Sequence, residues 1–344
     1  MKVKEAKTNA VEWIQTQACH EKGYGGAYFS GSIIGASDDT EISPSSDVDI
    51  VVVMEEEPPL KLGKFFYKGT LLEITYLSWN QLTSAQNVLT SYHLAGSFRV
   101  DTIIDDPTGQ LRRLQTEVSQ HYSEWTWVRR RCKNALQKVE NGLRSIDAAA
   151  PFHEQVTAWM FPTGVTTHVI LVAALKNPTV RKRYLAAREV LINYGHEALY
   201  DDLLELLGCA QITPEQVQHH LYELGRTFDQ TVAVARTAFL FSTDITMETR
   251  PIAIDGSYAL IETGNHREAV FWIIATFARC HTILAADSPD LHLEHLPTFQ
   301  AAVRDLGITS FEDLTNRAKK VIQFLPTLWE VAEDILSKNP NIHH

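Results

Sequence analysis

The chain has 344 residues, of which 44% are hydrophobic, and a formal net charge of -11. This length allows a large buried core and favours two domains over one. The acidic balance disfavours a nucleic-acid binder, because such proteins usually carry a basic stripe. It suits a cationic small substrate, although many cytoplasmic proteins are simply acidic.

Cysteine usage and hydropathy indicate a reduced, cytoplasmic environment. The four cysteines are far apart and include no CxxC pair, so they predict neither a disulfide framework nor a zinc site. The N-terminus MKVKEAKTNAVEWIQ lacks an apolar signal core. Apolar runs such as Val169 to Leu175 are shorter than the ~20 residues that span a bilayer. We therefore expect a cytoplasmic protein with no membrane partner.

The first hundred residues predict mixed α and β structure. Apolar residues at helical spacing indicate a helix from Ala6 to Ala18, and Gly23 to Gly26 end it. Short strands are expected over residues 27–30, 48–54 and 99–104. The run FFYKGTLLEITYL predicts a hairpin with its turn at Lys68-Gly69.

After about residue 109, helical periodicity replaces strand alternation. Turn signals that include Ser288-Pro289 and Leu296-Pro297 separate the helical segments. Those segments cover residues 111–147, 165–175, 180–194, 214–241, 269–285 and 311–336. We predict an α+β protein, with a mixed sheet and helices in a domain of residues 1–108. An all-helical bundle domain of residues 109–344 follows.

Two aspartates open the second predicted strand, in the segment SDVDIVVV. Side chains at i and i+2 share a face, so Asp47 and Asp49 project together. Glu73 is a third acid, within the apolar strand LLEITYL. If these strands are neighbours, the three carboxylates converge and repel each other, and a divalent cation removes the repulsion. Hard oxygen ligands suit magnesium, and two ions ~3.5–4 Å apart would hold both oxygens of an in-line displacement at phosphorus.

Gly31-Ser32 precedes this acidic segment and suits a phosphate. Gly31 permits close backbone approach, Ser32 adds a hydroxyl, and a short helix predicted over residues 33–36 presents free N–H groups. Each part has a structural alternative when it is taken alone. Gly-Ser could form a turn, Asp-x-Asp could cap a loop, and Glu73 could face solvent on an edge hairpin. The joint order of the parts favours a functional site.

The order GS…SDVDIVVV…LLEITYL resembles the nucleotidyltransferase superfamily that includes DNA polymerase β. It is most similar to the branch of aminoglycoside and lincosamide nucleotidyltransferases. LLEITYLSWNQL, DDPTGQL and the following helical domain are similar to aminoglycoside adenylyltransferase-type proteins, and the resemblance is strong over residues 28–111. It implies that Gly31 and Ser32 contact nucleotide phosphates. It also implies that Asp47 and Asp49 bind magnesium and that Glu73 is the third carboxylate.

Two features depart from that family. Asp38 to Ser43 looks like an insert, which could reshape the nucleotide pocket or add negative charge to it. Some drug-modifying members carry an acidic general base in a Gly-Glu-Trp-like segment, whereas the comparable HLAGSFR, residues 93–99, has no acid. The base then comes from elsewhere, Glu73 serves as the base, or the metal alone activates the alcohol.

The helical domain offers weaker candidates. Glu262 or Glu268 could act as a general base, but we favour a capping box formed by Asn265 and Glu268. The basic runs Arg129 to Arg131 and Arg181 to Arg183 could contact phosphate, and we favour solvated helix faces for both.

The leading hypothesis is a metal-dependent enzyme that transfers a nucleoside monophosphate from a nucleoside triphosphate to a hydroxyl. AMP is the first candidate for the transferred group. The acceptor is a small molecule, for example an aminoglycoside-like antibiotic, and pyrophosphate is released. The expected cofactor is magnesium, as two ions, and the chain acts as a monomer or homodimer without nucleic acid. The alternatives are an antitoxin-type protein nucleotidylyltransferase and a degenerate, non-enzymatic interaction protein.

Overall fold

A computed structural model describes residues 1–43, 46–56, 58 and 60–344. Packing divides the chain into two compact units. The first unit contains Met1–Arg131, Leu240–Asp244 and Pro340–His344. The second unit contains Cys132–Phe239 and Ile245–Asn339. The predicted domain boundary after residue 108 precedes two helical segments that pack within the first unit.

The first unit is a mixed α/β structure. Its strands are β1 (Tyr24–Phe29), β2 (Val48–Met54), β3 (Gly63–Tyr67), β4 (Thr70–Ser78) and β5 (Ile103–Asp105). Its helices are α1 (Val3–Thr16), α2 (Ala85–Thr90), α3 (Gln110–His121) and the start of α4 (Trp125–Arg144). The α+β class is therefore confirmed, and the predicted strand over residues 48–54 matches β2.

The five strands form one mixed sheet in the order β3-β4-β2-β1-β5. β2 and β4 run parallel and are direct neighbours, whereas the other pairs are antiparallel. The predicted hairpin is confirmed, because Lys68 and Gly69 both adopt positive φ angles at the turn between β3 and β4. The parallel pair is important for the candidate site, because it puts the two acid-bearing strands side by side.

Side-chain alternation along β2 builds two cores. Val48, Ile50 and Val52 pack on one face of the sheet with Ala10 and Ile14 of α1. On the opposite face, Tyr28, Val53 and Leu77 pack with Val88 of α2 and Leu114 of α3. Asp49 belongs to this second face by alternation, at the strand end where β2 begins.

The second unit is helical throughout its described secondary structure. After the rest of α4 it contains α5 (Phe152–Ala173), α6 (Arg183–Tyr194), α7 (Glu197–Leu207), α8 (Pro214–Val234), α9 (Gly256–Glu262), α10 (His266–Asp287), α11 (Pro289–Asp305) and α12 (Phe311–Lys338). α5 and α10 are buried on most of their circumference, as expected for core helices.

Two predicted boundaries were wrong. The helix expected over residues 111–147 is interrupted between α3 and α4, where the backbone of Ser123 and Trp125 hydrogen-bonds to His343 instead of continuing the helix. Leu296-Pro297 was expected to be a turn, but Pro297 lies inside α11. The helix continues past it because the following residues Phe299, Ala302 and Val303 are buried, and that packing outweighs one lost hydrogen bond.

Two helices, α5 and α10, are long and apolar enough to cross a membrane by length and composition alone. Uninterrupted apolar runs did not reveal them, because threonine and histidine are interspersed in both helices. In their most apolar windows, 78% and 72% of the residues are buried inside the protein. Core helices of soluble proteins pass the same test, so these helices are only a weak indication of a membrane span.

The basic runs are only partly solvated, contrary to expectation. Arg131 is buried, and its guanidinium donates to the carbonyl oxygens of Leu89 and Tyr122. Arg183 is also buried and lies over the ring of Phe271 at 4.0 Å. Helical periodicity did not reveal this burial, because it follows apolar residues and arginine counts as polar.

Candidate metal centre

The three predicted carboxylates converge at one end of the parallel strand pair. Asp47 immediately precedes β2, and Asp49 is its second residue. Asp49 is the direct register partner of Glu73 on β4. One carboxylate oxygen from each residue lies within 4.8 Å of the other two. The expected proximity is therefore present, and it follows from β2 and β4 being neighbours in parallel register.

Two lysines that were not among the predicted site residues lie among these carboxylates. The ammonium of Lys64 is 2.6 Å from Glu73 Oε2 and 3.3 Å from Asp47 Oδ2. The ammonium of Lys61 is 2.5 Å from Glu73 Oε1. Lys64 is opposite Glu73 in the antiparallel β3–β4 pair, so both side chains share a face. This pairing was predictable from the sequence, since the hairpin turn at residues 68 and 69 sets the register of β3 against β4.

A fourth carboxylate comes from a distant part of the chain. Asp244 Oδ1 is 2.6 Å from the Lys64 ammonium, and both side chains are only 9% exposed. Asp244 lies in the short 3-10 helix Ser242–Asp244, which packs with the first unit. Gly63 allows this approach, because a Cβ there would lie 1.9 Å from Thr243 Oγ1. No local sequence signal indicated Asp244.

The charge balance around the carboxylates is uneven. Burial raises the pKa of Asp49 well above its usual value, and the negative charges of Asp47 and Glu73 raise it further. Among the described residues, no lysine or arginine forms an ion pair with Asp49. Burial also raises the pKa of Asp47, and Lys64 opposes that shift. Lys64 and Lys61 lower the pKa of Asp49 too little to offset burial, so the Asp49 side of the cluster has less positive charge than the Glu73 side.

The lysines dominate at Glu73. Burial alone would raise the pKa of Glu73, but Lys64 and Lys61 outweigh it and lower that pKa to about 2. Burial would lower the pKa of Lys64, but Glu73, Asp244 and Asp47 raise it above its usual value. Glu73 is therefore a carboxylate and Lys64 an ammonium at neutral pH.

Gly31 lies directly against Asp49. Its φ is +64°, and a Cβ at this position would be 1.8 Å from Asp49 Oδ2. Only glycine gives both the left-handed conformation and the space for this contact. The expected short helix is the five-residue 3-10 helix Gly31–Gly35, and the side chain of Ser32 is exposed. The structure thus brings Gly31 to the carboxylates, with Ser32 next to it on the surface.

The predicted insert packs near the start of α1. Lys4 donates its backbone N–H to the carbonyl of Asp38, and Ile42 donates to the carbonyl of Met1. Asp38 and Asp39 form ion pairs with Lys7 and Lys2, so lysines balance their charges. Pro44 and Ser45, between the insert and Asp47, lie outside the described residues.

The capping box expected at the start of α10 is absent. Asn265 precedes the helix without a side-chain cap, and its Oδ1 accepts a hydrogen bond from Arg188. Glu268 is buried, and its carboxylate pairs with Arg188 at 3.0 Å and accepts from Tyr200. The burial of Glu268 explains why the capping box does not form, because an N3 carboxylate that faces the core cannot reach back to the cap.

The donor set fits a hard divalent cation. Three carboxylates within 4.8 Å supply oxygen ligands of the kind that magnesium takes in proteins. Burial and the neighbouring carboxylates raise the pKa of Asp49, and a cation bound beside it would offset that shift. Asp47, Asp49 and Glu73 are the residues that could hold the ion.

No protein-family model matches the chain, and no curated protein is significantly similar to it.

Proposed function

We propose that the first unit has a nucleotidyltransferase fold and that the protein is a magnesium-dependent nucleotidyltransferase. It transfers a nucleoside monophosphate, AMP in the first instance, from a nucleoside triphosphate to a hydroxyl of a small molecule. The observation that carries the proposal is the convergence of Asp47, Asp49 and Glu73 beside the backbone of Gly31. Such a cluster suits phosphoryl chemistry, in which electrostatic stabilisation and positioning supply most of the catalysis.

In the proposed reaction, the acceptor hydroxyl oxygen forms a bond to the α-phosphorus. The bond from that phosphorus to the bridging oxygen of the β-phosphate breaks, and pyrophosphate leaves with its electron pair. Magnesium held by Asp47, Asp49 and Glu73 would supply stabilisation for the charge on the transferred group. Gly31 and Ser32 bind the β- and γ-phosphates, since glycine lets the backbone approach closely and serine adds a hydroxyl.

The acceptor hydroxyl must lose its proton. Glu73 is a poor proton acceptor while Lys61 and Lys64 contact it, because its pKa is then about 2. The segment of residues 93–99 contains no acid. These two observations favour another base, or activation of the alcohol by the metal alone, over Glu73.

A cationic acceptor such as an aminocyclitol antibiotic suits the acidic protein, with its net charge of -11. We propose that the protein acts in the cytoplasm as a monomer or homodimer, on small molecules and without nucleic acid. The alternatives are a protein nucleotidylyltransferase and a degenerate interaction protein. The intact set of three carboxylates disfavours degeneracy.

A thermal-shift titration with ATP, GTP, CTP and UTP, each with and without magnesium, tests the proposal. We expect one nucleotide to raise the melting temperature substantially, and only when magnesium is present, because binding to the native state alone stabilises it. That nucleotide is the donor and is then used to screen acceptors for pyrophosphate release. An absence of any magnesium-dependent nucleotide shift would contradict the proposal.

A further inference from the structure

The metal-site carboxylates are already partly neutralised by the chain itself. Four carboxylates meet here, from Asp47, Asp49, Glu73 and Asp244, and two ammonium groups lie among them. The net charge of these six groups is -2, which a single divalent cation would neutralise. Two divalent cations, as the sequence led us to expect, would leave the protein groups with excess positive charge.

The positive charge is concentrated at Lys64. Its ammonium lies within 3.3 Å of three carboxylates that come from separate chain segments. Its side chain is only 9% exposed, so water screens these contacts little. A contact set of this kind, several acidic oxygens around one positive centre, is also what a metal ion has in proteins.

Asp49 lies on the other side of the cluster. It is the one of the three predicted ligands without an ion pair among the described residues, and it contacts the backbone of Gly31. The position that remains for a divalent cation is therefore at Asp49, shared with Asp47 and Glu73. Lys64 already neutralises the side that faces β3 and Asp244.

We propose that Lys64 is a built-in second cation of this site, so that the carboxylates bind one divalent ion instead of two. Asp244 is a positioning residue that holds the Lys64 ammonium in place. This inference rests on the proposed function, because it concerns the same metal site. It adds that the number of bound ions, and their affinity, are set by a lysine on the neighbouring strand.

Manganese titration of the full chain, followed by electron paramagnetic resonance, tests the inference without any measurement of activity. Free manganese gives the signal, so the titration yields both the number of bound ions and their dissociation constant. We expect one ion per wild-type chain. Lys64→Met should bind two ions, because the competing ammonium is gone and a negative charge is uncovered.

Lys68→Met is the matched control. Lys68 is on the same hairpin, but its side chain is 54% exposed and its ammonium pairs with Glu12. This variant removes the same charge from the protein and should still bind one ion. Asp244→Asn provides a second test should Lys64→Met fail to fold. In this variant the Lys64 ammonium has lost one carboxylate partner, so it should pair more closely with Asp47 and Glu73. Manganese binding should therefore weaken by about threefold or more.

The outcomes separate the two proposals. Two ions on the wild-type chain, or one ion on a folded Lys64→Met variant, would overturn the inference while leaving the nucleotidyltransferase proposal intact. Unchanged manganese affinity in Asp244→Asn would overturn the positioning role of that residue. If the wild-type chain binds no manganese and no nucleotide stabilises it, the proposed function itself fails.

Discussion

Replacement of Asp49 by asparagine should change stability in opposite directions without and with magnesium. The substitution keeps the shape of the side chain and removes a negative charge from a cluster whose oxygens lie within 4.8 Å of one another. At that distance and an effective dielectric constant of about 20, two carboxylates repel by roughly 3 kcal/mol. Lys61 and Lys64 offset part of this repulsion, so the net gain in a chelator should be about 1–3 kcal/mol.

In excess magnesium, the wild-type protein should gain more stability than the Asp49→Asn variant. A ligand at one hundred times its dissociation constant stabilises the native state by about 2.7 kcal/mol. The wild-type protein should show a stabilisation of this order in excess magnesium, whereas Asp49→Asn should lose most of it together with magnesium-dependent nucleotide binding. The variant is then the more stable protein in chelator and gains little from the metal.

Differential scanning calorimetry in a chelator and in excess magnesium measures both effects on the same samples. A gain of 1–3 kcal/mol corresponds to a rise of a few degrees in melting temperature. Asp39→Asn is the control, since this exposed residue pairs with Lys2 on the surface and should change neither value appreciably. A variant that melts below the wild type in chelator, and keeps the full magnesium shift, would refute the proposed electrostatics and the metal site together.

Three further predictions concern other positions. Gly31→Ala should weaken manganese binding about tenfold or more and lower the free energy of unfolding by about 1–3 kcal/mol, because the new Cβ displaces the Asp49 carboxylate. Gly109→Ala is the control, since Gly109 also has a positive φ but has open space around it. An equal effect at Gly109 would show that backbone strain, and not displacement of the carboxylate, is the cause. Arg131→Met should cost about 2–4 kcal/mol in urea unfolding, since two carbonyl oxygens lose a buried donor, and the exposed neighbour Arg130 should tolerate the same change. Burial, and to a smaller extent nearby histidines, lower the pKa of His281 from 6.5 to about 3. The free energy of unfolding should therefore fall as the pH decreases from 6.5 towards 3, and His281→Phe should remove about 2 kcal/mol of that fall at pH 5. Parallel pH profiles of unfolding free energy for the variant and the wild type would contradict this.

Local patterns were sufficient for much of the first unit. The β-branched run of β2, the Lys68-Gly69 turn and the two aspartates two residues apart each depend on neighbours in sequence, so their structure was predictable. The hairpin turn also sets the register that puts Lys64 opposite Glu73, so this pairing was predictable from the sequence as well. Boundaries failed where distant contacts decide them, as at His343 beside the break between α3 and α4.

The amino-acid sequence by itself determined which carboxylates share a strand face, because alternation is a property of the extended backbone. Only the tertiary structure decided which strands are neighbours, and therefore that Asp49 and Glu73 face each other in parallel register. It also decided that Asp244 reaches Lys64 across 180 residues of chain. The physical reason is that burial and ion pairing between distant segments depend on how the whole chain packs, which no local pattern encodes.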